Sequence, residues 1–371
     1  MPHIAVIGCG VVGAMIAYEL SQISDFRVMV FDRQPPAQAS TGAALGVLMG
    51  IVSQKTKGKA WALRQASIRR YETLIPDLEA ATGHSIPWNR QGIVMLCFEG
   101  EDLSRWEKLQ EIRRTQGWQL ERWDHDRLQS RCPQVSHPRA TSAVYSPQDL
   151  QVDPTALTLA LVAAAKQNGV MFRFDAEVTG WQCSSEGTTE QTCEQIHMGT
   201  ETIAIDWVVV AAGLGSTALT QTAKQPIDIC PVLGQAVRVQ LDAPMGDPAF
   251  QPVITGEDIH IVPLNNGDYW VGATVEFPTE KGEILPDADR LQQVWQSAVA
   301  LCPDLAQATV LKTWSGLRPR PSDRPAPIIE LLTGYTNILM ATGHYRNGVL
   351  LAPATAQKIR EAIEGGLKDE R

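Results

Sequence analysis

The stretch "HIAVIGCGVVGAMIAYEL" (His3–Leu20), followed by "FRVMVFD" (Phe26–Asp32), decides the fold. Ile4 to Ile7 read as a buried parallel strand, apolar on both faces. Gly8, Gly10 and Gly13 then spell G-x-G-x-x-G, and Val12, Ile16, Ala17 and Leu20 recur at helical spacing. A second strand ends in Asp32, about 20 residues past the glycines, as a dinucleotide fingerprint requires. Gly8 permits the tight turn. Gly10 lets backbone approach a pyrophosphate, and Gly13 lets the helix pack close to the strand. The free N–H groups where the helix starts, around Val11 and Val12, suit an anion. Asp32 can accept from ribose hydroxyls and would repel a 2′-phosphate. The motif predicts dinucleotide binding but leaves NAD and FAD both open.

Beyond Asp32 the βα pattern stops. "RQPPAQASTGAALGVLMG" (Arg33–Gly50) is rich in small residues and shows no strand alternation. Such a stretch suits a backbone threading past a bulky ligand. Helices are expected at Ala60–Thr82, Leu103–Gln116, His125–Ser130 and Leu291–Leu301. Another is expected at Pro154–Asn168, with Asp153 as N-cap and Gly169 as its stop. Thr202–Gly213, nearly all apolar, reads as a central strand whose ligand-facing end is Ala212 to Gly215. The polar run Ser184–Glu194 reads as a hairpin tip. Between Cys230 and Ile284 alternating segments separated by turns predict an antiparallel sheet. A last unit, "ILMATGHYRNGVLLAPATAQKIREAI" (Ile338–Ile363), reads as strand, loop and a helix beginning near Pro353.

These readings give an α/β chain, α+β overall: a Rossmann-like cofactor domain with an inserted, mixed or antiparallel-sheet substrate domain. The cofactor domain is expected to be discontinuous, from 1–85, 146–220 and 311–371. The substrate domain takes 86–145 and 221–310.

With 371 residues, 44% of them hydrophobic and 20% charged, the chain can bury a real core and has no disordered composition. A net charge of −9 argues against nucleic acid and anionic membranes as partners. Seven cysteines without a C-x-x-C pair point to a reduced, cytoplasmic chain and no cysteine zinc site. His3, His84, His125, His137 and His197 show no metal-ligand spacing. The apolar N-terminal run lacks a basic flank and contains Glu19, so it does not read as a targeting segment. No run is long enough to span a membrane.

The segments "IAVIGCGVVGAMIAYEL", "STGAALG", "VVVAAG", "HIVPLNNGDYWVGAT", "WSGLRPRPSD" and "GHYRNGVLLAPATA" extend from end to end. In them the chain resembles the D-amino-acid oxidase family of flavoproteins, and within it the glycine-oxidase branch that serves thiamine thiazole synthesis. The resemblance implies noncovalent FAD and hydride transfer from a small amino acid (glycine, sarcosine or a D-amino acid). The product is an imine that hydrolyses, and oxygen is the implied acceptor. A dehydrogenase passing electrons to a quinone or other carrier, and a flavin-binding module without turnover, stay open as alternatives. Self-association is compatible with all three.

The resemblance also implies roles. Arg318 matches the arginine that clamps the substrate carboxylate, and Arg346 one at the mouth of the site. Asp32 and Arg33 match the ribose-contacting pair. Thr41, Gly42, Ala43, Ala44 and Gly46 line the flavin, as do Ala212 and Gly213 at their strand end. Val178 matches a residue whose backbone meets adenine. Gly343, His344, Tyr345, Arg346, Asn347, Gly348, Val349 and Leu350 form the loop and helix start beside the isoalloxazine. No side chain is implied as catalytic acid or base. His260 departs from the branch, which has a tyrosine there that helps hold the carboxylate. Arg320 replaces a frequent glycine and is read as a solvated charge.

Overall fold

The computed structural model describes residues 1–184, 190–280 and 282–369. A six-stranded sheet runs in the order Ile328–Leu331, Ile338–Thr342, Trp207–Val210, His3–Ile7, Arg27–Phe31, Met171–Arg173. All neighbours are parallel except the first pair. Both faces are buried, as the unbroken apolar strands require. Ile4 and Val6 pack with the helices Val11–Ser21, Pro154–Gln167 and Gly348–Asp369. Ala5 and Ile7 pack with a three-stranded sheet, Gly180–Ser184, Thr192–Met198 and Glu201–Ala204. Asp153 caps its helix as expected, accepting from the N–H groups of Thr155 and Ala156 at 2.9 Å.

A second, eight-stranded sheet is antiparallel apart from the parallel pair Val253–Gly256 and Ile93–Phe98. Its edge strand, Thr309–Pro321, pairs along the whole of Ile229–Gln240. Residues 311–321, placed with the cofactor segments on sequence, therefore sit in this sheet. The Gly58–Thr82 helix packs on the Gly348–Asp369 helix and so buttresses the C-terminal unit.

Two local readings need revision. The apolar run Thr202–Gly213 is two strands, not one, and they belong to different sheets. The break falls at Asp206, whose carboxylate accepts from His3 N–H at 2.6 Å and whose carbonyl accepts from Asn337 Nδ2 at 2.7 Å. The final helix begins at Gly348, with Pro353 inside it, because other groups satisfy the backbone that proline leaves bare. The arms of the expected hairpin at 184–194 pair, Ser184 opposite Thr192, but its tip at 185–189 lies outside the described residues.

Candidate active site

The carboxyl ends of the central strands deliver Gly8, Asp32, Ala211 and Gly343 to one rim of the parallel sheet. There they open on a cleft of about 510 Å³, which the eight-stranded sheet closes from the other side. This is where open α/β sheets bind ligands.

The three fingerprint glycines do not do the same job. A Cβ on Gly13 would lie 1.9 Å from the Gly8 carbonyl oxygen, so the chain itself demands glycine there. Gly8 has φ +106°, and a Cβ would lie 2.5 Å from the Ala211 carbonyl. Gly10 is different. Its backbone is extended, and the nearest atom to a Cβ is Thr41 Oγ1 at 3.1 Å. The fold demands less at Gly10 than at Gly8 or Gly13, and Gly10 lines the cleft, where a side chain would enter the space for a pyrophosphate. Thr41 Oγ1 accepts the first helical N–H, from Val11, at 3.0 Å. No side chain from Gly10 caps the helix, and the cradle is open for a pyrophosphate. Asp32 accepts from Cys9 N–H at 2.6 Å and from Gln34 N–H at 2.9 Å, which fixes its carboxylate at the strand end. Arg33, expected beside it, lines the cleft and pairs at the surface with Glu177, 3.5 Å away. The residues present fit FAD.

The other wall is a sheet face on which glycines and an alanine leave room between a few larger side chains. Thr255, His260, Gly272, Ala236 and Trp314 lie in one cross-strand register, so they share a face. Gly234, Gly316 and Arg318 lie on that face too, at even spacing along their strands. Gly316 touches down on Ala43: a Cβ there would lie 2.2 Å from the alanine methyl. Ser40 Oγ donates to the Leu317 carbonyl at 2.6 Å, and Trp314 Nε1 to the Ala43 carbonyl at 3.1 Å. The small residues from Ser40 to Gly46 are thus small partly to lie flat on this strand.

Arg318 crosses above Gly234, where a Cβ would lie 2.2 Å from its guanidinium. Its Nη1 donates to the carbonyls of Leu233 and Thr274, at 3.1 and 3.0 Å. Behind this seat the Thr274 hydroxyl donates to Glu276, a buried carboxylate that also accepts from Gln235 Nε2 and Asp287 N–H. Arg318 has no ion-pair partner among the described residues, although burial, and then Arg346, depress its pKa. A planar cation held from one side keeps its remaining N–H groups for a ligand.

Arg346 lies at the rim, 3.9 Å from the exposed Asp258. His260 faces the cleft between these elements, with Thr255 Oγ1 3.0 Å from its Nδ1. Burial, with Arg346 adding to it, pushes His260 down to about 4, so the ring is neutral at pH 7. His344 is buried, and its Nε2 lies 2.9 Å from Thr355 Oγ1. That hydroxyl donates to the Leu351 carbonyl at 2.8 Å, so it must accept from His344, whose proton sits on Nε2. Burial alone pushes His344 to about 4.

Gly46, Ala44, Val12, Ala212, Gly213 and Tyr345 also line the cleft, and so do Gly348, Val349 and Leu350 at the start of the last helix. Gly42, Val178 and Asn347 do not. Gly42 packs on the Ala37 carbonyl, and the Val178 side chain is buried with Ile7 and Phe31. Arg320 is exposed, yet its guanidinium lies 5.2 Å from the Phe277 ring and 5.7 Å from that of Tyr345. Gly234, Ala236, Ala273 and Gly316 went unnoticed in the sequence. Small residues at every second position of a strand were the available signal. Among the described residues no metal-binding cluster occurs, and no helix is long and apolar enough to cross a membrane.

Known proteins match this chain over its length. The bifunctional protein ThiO/ThiG of Trichormus variabilis is 30% identical over 362 residues, which are 97% of this chain and 52% of that protein. The chain thus spans about half the length of this relative. Glycine oxidase of Geobacillus kaustophilus is 27% identical, with 97% of this chain and 92% of the relative covered. The crystal structure of a glycine oxidase from that organism superposes with a TM-score of 0.85 at 25% identity, covering 98% of this chain and 95% of the other. L-proline dehydrogenase from P. horikoshii shares the fold, with a TM-score of 0.85 at 21% identity. The FAD dependent oxidoreductase family, DAO, matches residues 3–362. The chain belongs to this family of FAD-dependent oxidoreductases, and FAD is its cofactor.

Proposed function

We propose that the chain oxidises a small amino acid at its Cα–N bond, as glycine oxidase does, with oxygen as acceptor and in the cytoplasm. The observation that carries this reading is Arg318: a half-buried guanidinium seated on two carbonyls, facing a cleft, with no carboxylate paired to it among the described residues. A substrate carboxylate supplies the missing charge through a two-pronged contact. We assign the cofactor to the segments 1–85, 146–220 and 322–371 and the substrate wall to the eight-stranded sheet. Seven free cysteines fit a reducing compartment.

Bound FAD supplies the hydride acceptor. The protein's own part is to orient and to set charge. Arg318 fixes the carboxylate and hence Cα. Arg346, a second cation nearby, disfavours an ammonium and favours the neutral amine. Neutral His260 adds no third charge. Asp32 is the one acid lining the cleft among the described residues, and its oxygens are engaged by backbone at the nucleotide end. The residues at the substrate end therefore hold and align the amine rather than deprotonate it. The last helix starts at the cleft with Gly348, and the positive end of its dipole favours negative charge there.

The test is anaerobic addition of glycine, sarcosine and D- and L-amino acids to the FAD-loaded chain, following loss of flavin absorbance. Bleaching by at least one amino acid is expected. Bleaching by amines without a carboxylate, and by no amino acid, would overturn the reading.

A further inference from the structure

We infer that Thr255 is a positioning residue that locks His260 into one tautomer, making its Nε2–H a fixed hydrogen-bond donor in the cleft. The group bound there must then be an oxygen acceptor. This rests on the reading of the cleft as a carboxylate site and adds to it a second contact with defined polarity.

The argument begins with register. Thr255 and His260 are directly opposed in an antiparallel pair, so their side chains lie together on the cleft-facing side of the sheet. Thr255 is 3% exposed, and its hydroxyl has one hydrogen-bond partner among the described residues, His260 Nδ1 at 3.0 Å. Two arrangements satisfy that distance. If Nδ1 carried the proton, it would donate to Oγ1, and the hydroxyl's own proton would be buried with no acceptor. If Nδ1 is bare, the hydroxyl donates to it and both groups are satisfied. Buried hydroxyls find an acceptor, so the second arrangement holds. The ring is neutral, because burial and the neighbouring Arg346 oppose a second proton. One proton remains, and it sits on Nε2, on the edge turned away from Thr255.

His344 shows the contrast. There a threonine hydroxyl is committed to a carbonyl and accepts from the histidine, which leaves Nδ1 as an acceptor. The two cleft histidines thus have opposite polarity, each set by one threonine. An ammonium or amine N–H finds no acceptor at His260, whereas a carboxylate oxygen finds a donor. Hydrogen-bond polarity of this kind discriminates more sharply than pocket size, because a mismatched partner leaves a buried polar group unpaired.

The test uses the FAD-loaded chain with acetate as probe, read from the visible flavin spectrum. Thr255→Val is expected to raise the acetate Kd and the KM for glycine about two- to tenfold, the range for one neutral hydrogen bond, with kcat within about twofold. Thr255→Ser keeps the hydroxyl and is expected to behave as wild type. In a His260→Phe background, Thr255→Val should add nothing. Without any change at Thr255, long-range 1H–15N spectra of the wild-type chain should show His260 protonated on Nε2, its signal identified by loss in a flavin-replete His260→Phe chain. Protonation on Nδ1 would overturn the inference, as would wild-type acetate binding in a flavin-replete Thr255→Val chain. A wild-type chain that binds neither acetate nor glycine would instead overturn the carboxylate reading, and this inference with it.

Discussion

The hydroxyl of Tyr71 donates to the carbonyl of Val349 at 2.6 Å, in place of the N–H that Pro353 lacks. Residue 353 is four beyond Val349, so a regular helix would send that N–H to the same oxygen. Tyr71 is fully buried on the Gly58–Thr82 helix, and Ser67, one turn before it, accepts from Ala354 N–H at 3.3 Å. Two side chains of one helix thus repair the start of another, whose first residues line the cofactor cleft.

Tyr71→Phe should therefore cost stability and cofactor affinity together. An orphaned buried carbonyl costs about 1–3 kcal/mol. Urea unfolding should show the loss, and FAD titration of the stripped protein should show weaker binding. Full stability in the variant would mean that another donor reaches Val349.

Gly10 and Gly13 should separate the ligand's demand from the fold's. Gly10→Val should give a folded protein without flavin, because the new side chain enters the pyrophosphate space. Gly13→Ala should fail earlier, as loss of soluble protein or a large drop in Tm, because its Cβ would lie 1.9 Å from the Gly8 oxygen. Acid precipitation of wild type should leave FAD in the supernatant. Colour held in the pellet would show a covalent link.

The difference between these glycines marks how far the sequence could be read. The fingerprint placed the strand, turn, helix and Asp32, because every piece is local in the chain. The seat of Arg318 was not legible, because it depends on carbonyls of Leu233 and Thr274 that are 85 and 44 residues away. The same holds for Thr255, an ordinary strand residue until register sets it opposite His260. Asp206 was underweighted: one acid in a long apolar run ends a strand when backbone groups elsewhere need its oxygens. Pro353 misplaced the helix start because proline's usual place is the first turn, and the compensating donor comes from a distant helix.

Buried His344 and half-buried His260 predict a pH dependence of stability. His260 and His344 are held down to about 4, against an ordinary value of 6.5. Below pH 6.5 the unfolded chain takes up protons on these rings, and the folded chain does not until about pH 4. Stability is therefore fully present above 6.5 and falls as pH drops through that window, by up to about 1.4 kcal/mol per pH unit for each ring. His344→Gln can still donate to Thr355 but cannot titrate. Urea unfolding between pH 4.5 and 7.5 should show a shallower slope for this variant, whereas an unchanged slope would place the His344 proton uptake elsewhere.

Arg318 carries the sharpest prediction, because its neighbour in sequence provides the comparison. Arg318→Ala should leave the flavin spectrum intact and weaken the amino-acid substrate. Losing a half-buried, charge-assisted contact costs about 2–5 kcal/mol, or about 30- to several-thousand-fold in KM. Lysine should restore only part, since a point charge cannot copy the fork and cannot reach both carbonyls of the seat in the same geometry. Arg320 is exposed and rests between the Phe277 and Tyr345 rings, a contact worth about 0.5–1 kcal/mol at an exposed site. Arg320→Ala should therefore change KM by no more than about fivefold. An amine without a carboxylate should be indifferent to Arg318→Ala. If that amine suffers equally, or if Arg320→Ala costs more than Arg318→Ala, then the guanidinium above Gly234 is not the carboxylate clamp, and the substrate is held by some other group.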